Sequence, residues 1–520
     1  MKVLFIWITG FLITATWSAS PAQEPRSGLQ MELSEGSFLD LIPAGDRGAF
    51  TYRWNMSKVS NNRITLYFTF YDTDFNAQWM VPLSMEANYG LVGKSFGQEQ
   101  LTLLFQKSNA KDIIIATIHT QTQQISSQPF QLYEGVQILD FTAHNTKVWL
   151  SCILNNQPVL FELDLSNQEK RTMPTGAGYP VTQIMDLYHD QHQQSLTYLL
   201  SLNIRQRSAL LLRSINKTGE ITDIMVGPHD TYNIFSGRIF PSSEGNLIVG
   251  LFSSKNNGKP LGLLVAKQRL DELEFQHYHL FKDLPDFFRY REITTSLNTE
   301  GDDVKTKKRK TNFQALIDNV VITPQGIMVS IDLFKENYRT LNTSEKEYQS
   351  QNIDFLVRNT QAPTFTGDPQ LLNNLDVIRL RNKDYFLGQA ISTGFNYAHT
   401  SLVALNPEGG FMTASSLKPL DIKINFMTFN PNLQGYDGGY GLWFQSGSEL
   451  HMIDLNSNFQ LSSHRLDNNQ FGTFTNSGMN KIEKWYQDQL IIWGYQQYKI
   501  DKLLKVVFYA RKISMTPSSD

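Results

Sequence analysis

The stretch from Gly135 to Arg171, GVQILDFTAHNTKVWLSCILNNQPVLFELDLSNQEKR, limits the fold more than any other part of the chain. Residues 136–143 form an apolar-rich run that His144, Asn145 and Thr146 break. Val148, Leu150, Cys152 and Leu154 then recur with period two, as do Val159, Phe161, Leu163 and Leu165. That period places each set on one face of a strand. Asn155, Asn156 and Gln157 separate the two runs, and Asn accepts the left-handed backbone of a tight hairpin. After Ser166-Asn167-Gln168, the polar run Glu169 to Thr172 reads as an edge strand guarded by charge. The unit is four antiparallel strands.

The pattern recurs along the chain. A first unit holds strands at 37–43, 47–54, 63–71 and 77–83, and a second at 101–105 and 112–118. Further pairs lie at 196–202 and 209–215, at 245–252 and 261–267, and at 325–334 with a candidate partner at 352–359. Others lie at 384–391 and 400–410, at 439–445 and 449–461, and at 488–495 and 505–513. The starts are spaced by roughly 46–61 residues, with a longer gap around 280–312, which suits propeller blades of ~40–50 residues. A small twisted sheet with two apolar faces needs a neighbour on each side, and closing the row into a ring removes the exposed ends. The expected fold is all-β, a β-propeller of four-stranded blades, eight of them, with seven the runner-up. Eight or nine units are visible, so one is an insertion or part of a neighbour. The propeller is expected over 37–514, with an insertion at 281–312 and a polar tail at 515–520. Residues 23–36 read as a polar leader whose candidate strand at 29–33 closes the ring by completing the last blade.

The first residues read as a targeting segment. Lys2 precedes an apolar run of 15 residues, Val3 to Trp17, and Ser20-Pro21-Ala22 offers a small-x-small cleavage site. The run is shorter than the ~20 residues of a spanning helix, so 1–22 is read as a signal peptide rather than an anchor. An exported protein follows, periplasmic or extracellular, with no membrane-spanning segment in the mature chain. Charged residues make up 18% and the net charge is -3, which gives no support for a nucleic-acid partner. With one cysteine, Cys152, no internal disulfide forms, and its place on an apolar face makes it a buried structural thiol.

The stretches SEGNLIVGLF, NFQALIDNVVITPQGIMVSIDLF and SLVALNPEGG, with the Lys-rich interruption before the second, resemble secreted β-propeller proteins of uncharacterised function common in the Bacteroidota. The resemblance covers about 230–460 and rests on blade hairpins, so it implies fold and export and carries no site residues over. The WD dipeptide and the kelch double glycine are absent in any regular register, so neither named class is supported.

No motif fixes a reaction. H-E-x-x-H does not occur. Asp40, Asp140, Asp186 and Asp318 lie near strands that could line a channel, and are read as turn formers rather than a catalytic set. His277 and His279 share a strand face and His189 and His192 flank a polar turn, but two ligands do not make a zinc site, so both pairs read as surface residues. Asp454, Asn456 and Asn458 begin like a calcium loop, yet Phe459 and Arg465 replace its glycine and bidentate glutamate, leaving a β-turn. Asp437 to Gly441 reads as a hairpin, and Lys305 to Lys310 as a solvated loop. No catalytic, cofactor-binding or metal residues are assigned and no cofactor is expected. The candidate interaction surface is Phe287, Phe288, Arg289, Tyr290 and Arg291, since aromatic and Arg residues together build interface hot spots.

The expected function is a non-enzymatic, monomeric binding protein that takes a protein or glycan through loops on one face. The alternative is a glycan-active hydrolase or lyase with acidic residues at the central channel.

Overall fold

Asn155 and Asn156 adopt φ of 51° and 61° and turn Lys147–Leu154 back onto Gln157–Asp164, as two-residue hairpins with left-handed backbone do. With Gln137–His144 and Glu169–Met173 these strands form one antiparallel sheet in chain order. The computed structural model describes residues 28–515 except 35–36, 56–60, 98, 108–110, 177, 191–193, 205–206, 228–230, 255–258, 289, 293–312, 341–389, 419–422, 425–430, 437–438, 447–448, 456–459, 466–472, 478–480 and 501–502. The expected signal peptide at 1–22, the basic run at 305–310 and the candidate strand at 352–359 lie outside the described residues.

The chain is an all-β propeller of eight blades. Blades 1 to 5 occupy 37–86, 89–131, 137–173, 181–226 and 233–280, each with four strands in sequence order. Blade 6 spans 314–418, blade 7 spans 432–465, and blade 8 begins at 473. The first strands of blades 2 to 5 meet one another in turn, as do those of blades 6 and 7, which places the first strands innermost. Among the described residues, no helix is long and apolar enough to cross a membrane.

Both faces of every sheet are buried, which explains why the strands carry so many apolar residues. Each pair of neighbouring blades shares a core. Trp149 and Leu160 of blade 3 pack with Tyr198 and Leu200 of blade 4, and Cys152 packs with Ile113 and Ile115 of blade 2. Burial pushes the Cys152 thiol pKa far up, consistent with the structural role expected of it.

The ring closes between the chain's two ends. Gly28–Glu32 pairs antiparallel with Leu503–Ser514, with Gly28 opposite Arg511 and Glu32 opposite Val507. It is the fourth strand of blade 8, as the candidate strand at 29–33 anticipated. Met515 is fully buried in the core between blades 7 and 8.

The two units expected at 325–359 and 384–410 are one blade. Gly326–Thr340 pairs directly with Ala390–Leu405 in blade 6, and 341–389 intervenes between these strands. Nine apparent units therefore become eight. Gly326, at φ 154°, opens the second strand of that blade where a Cβ would lie 2.3 Å from the Leu405 carbonyl, so only glycine fits. Tyr290–Glu292 joins the outer edge of the blade as a parallel strand against Phe411–Lys418.

A cleft between blades 3 and 4 as candidate functional site

Asp40, Asp140, Asp186 and Asp318 lie within strands and are not the turn formers expected of them. Asp40, Asp140 and Asp186 lie within the innermost strands, and each accepts the N–H of the next residue, at 2.8, 2.8 and 2.9 Å. Asn319, not Asp318, holds the matching place in blade 6 and takes the Val320 N–H at 2.8 Å. A β-bulge beside Asp140, Asp186 and Asn319 re-aims the side chain along the channel wall. Several further contacts from these positions and their neighbours run between blades. Asp186 Oδ2 accepts the Ile239 N–H of blade 5 at 2.7 Å, and Arg238 donates to the carbonyls of Ile317 and Asp318 in blade 6. Asn319 donates to the Leu433 carbonyl, Asn432 to that of Ile482, and Lys481 to Asp40. The belt is architecture: it fixes the angle between successive blades. Asp318 is buried with its pKa pushed up to about 7, by burial above all.

The candidate surface at 287–291 divides. Phe287 is fully buried, with its ring stacked on Phe281 at 4.0 Å, and its carbonyl accepts from His399, Ser401 and Ser416. It belongs to the core between blades 5 and 6. Phe288 is exposed, and Tyr290 stacks on His399 at 5.3 Å. Arg289 lies outside the described residues, and Arg291 is placed by its backbone pairing with Leu417. What remains is two aromatic rings at the edge of blade 6.

The histidines are placed differently from expectation. His277 and His279 use their Nε2 atoms on the carbonyls of Glu408 and Gly409, holding a turn of blade 6 against the outer strand of blade 5. His189 is not a surface residue. It is 9% exposed, and its Nδ1 has no hydrogen-bond partner among the described residues. Its partner in the expected pair, His192, lies outside the described residues.

His189 stands at the inner end of a cleft of about 460 Å3 between blades 3 and 4. Two rows of side chains form its walls, and both follow from strand register. Trp149, Glu162 and Arg171 are successive partners across blade 3. His189, Leu196, Ile215 and Ile221 are successive partners across blade 4. Register partners share a face, so one wall is charged and the facing wall is apolar.

The inner end is aromatic. His189 lies between Trp149 and His144, with centroids 4.9 and 4.3 Å away and planes tilted by 14° and 18°. Burial pushes the His189 pKa down to about 4 and lowers that of His144, so both rings are neutral near pH 7. On the charged wall, Glu162 is 4% exposed. It accepts Trp149 Nε1 at 2.8 Å and meets Arg171 at 2.7 Å and Lys147 at 3.2 Å. Burial would raise its pKa, but Arg171, Trp149 and Lys147 together hold it below the ordinary carboxylate range. Lys217 completes the rim and has no partner among the described residues. The cleft holds three cations against one carboxylate, with Asn145, Thr146, Gln194 and Asn216 around its mouth. This arrangement can grip an anion and hydrogen-bond hydroxyl groups beside an apolar surface. Among the described residues no group of three or more His, Cys, Asp or Glu could hold a metal ion.

Sequence reasoning missed this site because its residues come together only through register between blades. One signal was present: Trp149 and Glu162 alternate with the apolar sets of their strands. In a propeller the second face of a blade is also buried, so a charged residue there marks an interface with a purpose.

No family model matches the chain, and no curated protein matches it. Among solved structures, the polysaccharide lyase Uly1 is similar at 8% identity over 82% of this chain and 90% of its own, with a TM-score of 0.39. A single-residue mutant of Synechocystis apocarotenoid oxygenase is similar at 11% identity and a TM-score of 0.30. A cobalt-substituted form of the oxygenase gives 10% and 0.29. The oxygenase matches cover 48% and 46% of this chain, and the chain spans 66% and 64% of theirs. Likenesses this distant assign no role to any residue.

Proposed function

We propose that the chain is an exported, non-enzymatic propeller that binds a glycan or protein through one face of the ring. The observation that carries this reading is the cleft between blades 3 and 4, which opens among the hairpin tips near Asn145, Gln194 and Asn216. A concave site with an apolar wall and a few convergent polar groups is the usual form of a ligand pocket. The channel acids favour binding over catalysis, because Asp40, Asp140 and Asp186 are each committed to holding backbone. Export, periplasmic or extracellular, is supported by the apolar segment at 3–17 and the cleavage pattern at 20–22. Kinship with the uncharacterised secreted propellers of the Bacteroidota stands on the hairpin stretches within 230–460.

The test is an array of glycans and peptides probed with the whole mature chain and with Ile221→Asp. Ile221 is 43% exposed, so a charge there alters the apolar wall without entering the core. Binding that Ile221→Asp abolishes supports the reading. Hits unaffected by the substitution, or no hits, overturn it. Shortening of a bound oligosaccharide would replace it with the hydrolase or lyase alternative.

A further inference from the structure

We infer that the ligand of this cleft is an anionic saccharide, a sugar ring bearing a carboxylate or sulfate; the inference rests on the binding function proposed above and names its ligand class. Three features converge. The first is charge. Lys147 and Arg171 both pair with Glu162 and also feel Asp164, while Lys217 has no partner among the described residues, so the cleft lining itself carries three cations and one carboxylate. Arg171 spends one terminal nitrogen on Glu162, and its side chain is 63% exposed. A guanidinium has five N–H donors in a planar fork, so donors remain for an oxyanion.

The second feature is shape. The apolar wall of Leu196, Ile215 and Ile221 faces the charged wall across a narrow slot. A sugar ring offers an apolar face of C–H groups to one wall and hydroxyls or an acid group to the other. A protein partner needs a broad surface of ~800 Å2 per side, whereas a slot of about 460 Å3 suits one or two rings.

The third feature is the polar atom left open at the inner end. His189 Nδ1 is buried on the cleft wall without a partner among the described residues. A buried nitrogen without a bond is costly, and a ligand hydroxyl reaching between the two walls would satisfy it. The charged and titratable groups around that ring are His144, Lys147 and Asp190.

The experiment is calorimetry of the mature chain with uronate, sulfated and neutral oligosaccharides of equal length, and with an acidic peptide. The acid-bearing sugars are expected to bind at least tenfold tighter than the neutral ones and to weaken between 50 and 500 mM salt. The uronate and sulfate arms decide which anion the site takes. Arg171→Ala and Lys217→Ala, both on exposed side chains, are each expected to cost tenfold or more. His189→Phe keeps the ring stack and removes the nitrogen, and should weaken the same sugars without changing their salt dependence. Equal binding of neutral and anionic sugars, preference for the acidic peptide, or indifference to Arg171→Ala and Lys217→Ala would overturn the inference. If a neutral sugar or peptide binds and Ile221→Asp abolishes it, this inference fails while the proposed function stands. If nothing binds in the cleft, both fail.

Discussion

Lys481 Nζ lies 3.1 Å from Asp40 Oδ2, an ion pair that joins the last blade to the first. Asp40 is 4% exposed and also accepts Trp493 Nε1, the Tyr52 hydroxyl and the Leu41 N–H. Burial alone would raise its pKa, yet Lys481, Lys94 and these donors hold it below the ordinary value. Four partners from four strands of two blades meet on one carboxylate, so the closure of the ring is specified by side chains as well as by the strand at 28–32.

Asp40→Asn should cost about 3 kcal/mol, the low end for stripping one partner from a buried pair, because Lys481 keeps some solvent contact. A carboxyl whose folded pKa is depressed adds stability above its unfolded pKa and loses it as pH falls through the folded value. The gap between wild type and Asp40→Asn in thermal midpoint should therefore be full at pH 7 and shrink below pH ~4. A gap that does not change with pH would show that the carboxylate's charge is unimportant.

A chain starting at Ser37 should lose the ring closure that a chain starting at Gln23 retains. Without Gly28–Glu32 the strand Leu503–Ser514 becomes an open edge, and Leu29 leaves the core between blades 8 and 1. Open edges recruit other chains. Light scattering should show self-association of the shorter chain, and its thermal midpoint should fall. A monomer of unchanged midpoint would contradict this role.

The fold was readable because propeller blades repeat their own local rules. Asn155 and Asn156 mark a hairpin by residue type alone, and the period-two sets mark the strands around it. Blade 6 was misread for a physical reason: strand pairing is indifferent to the 341–389 segment between Gly326–Thr340 and Ala390–Leu405, whereas a count by spacing is not. The candidate site was hidden more deeply. Trp149, Glu162 and Arg171 meet through register within one blade, and face His189 only because another blade packs there. Asp318 and Asn319 show the same limit, since a bulge decides which of two adjacent polar residues reaches across to blade 7.

Acid should remove the stability contributed by the neutral buried histidines between pH 6.5 and 4. His399 is fully buried and its pKa is pushed down to about 4, by burial first and Lys418 second, against the Phe287 carbonyl bond. His189 is lowered to about 4 as well. In this window the unfolded histidines take protons that the folded rings refuse, so their contribution to stability rises with pH from ~4 to ~6.5, whereas Asp318, raised to about 7, contributes in the opposite sense. The His399 share reaches about 3 kcal/mol, and that of His189 is smaller because its ring borders the open cleft. Urea midpoints at pH 7 and 4.5 measure the slope, and the gap between wild type and His399→Gln should be larger at pH 7 than at pH 4.5. An unchanged slope in His399→Gln would place the acid sensitivity elsewhere.

Phe287 and Phe288 are neighbours in sequence and opposites in role. The Phe287 ring lies flat against Phe281, and its carbonyl collects donors from His399, Ser401 and Ser416, three side chains on two strands of blade 6. Removing the ring opens a cavity and loosens the segment that presents the carbonyl. Phe287→Ala should cost about 3–5 kcal/mol, as large-to-small changes of buried Phe do. Phe288 is 39% exposed and touches Phe287 edge-on at 5.1 Å, so Phe288→Ala should cost less than about 1 kcal/mol. Thermal melts of the two variants measure the difference. If Phe288 serves a partner at the edge of blade 6, its loss should weaken that partner without moving the midpoint, and should leave ligand binding between blades 3 and 4 untouched. Equal midpoints for the two variants would mean that Phe287 does not anchor the segment.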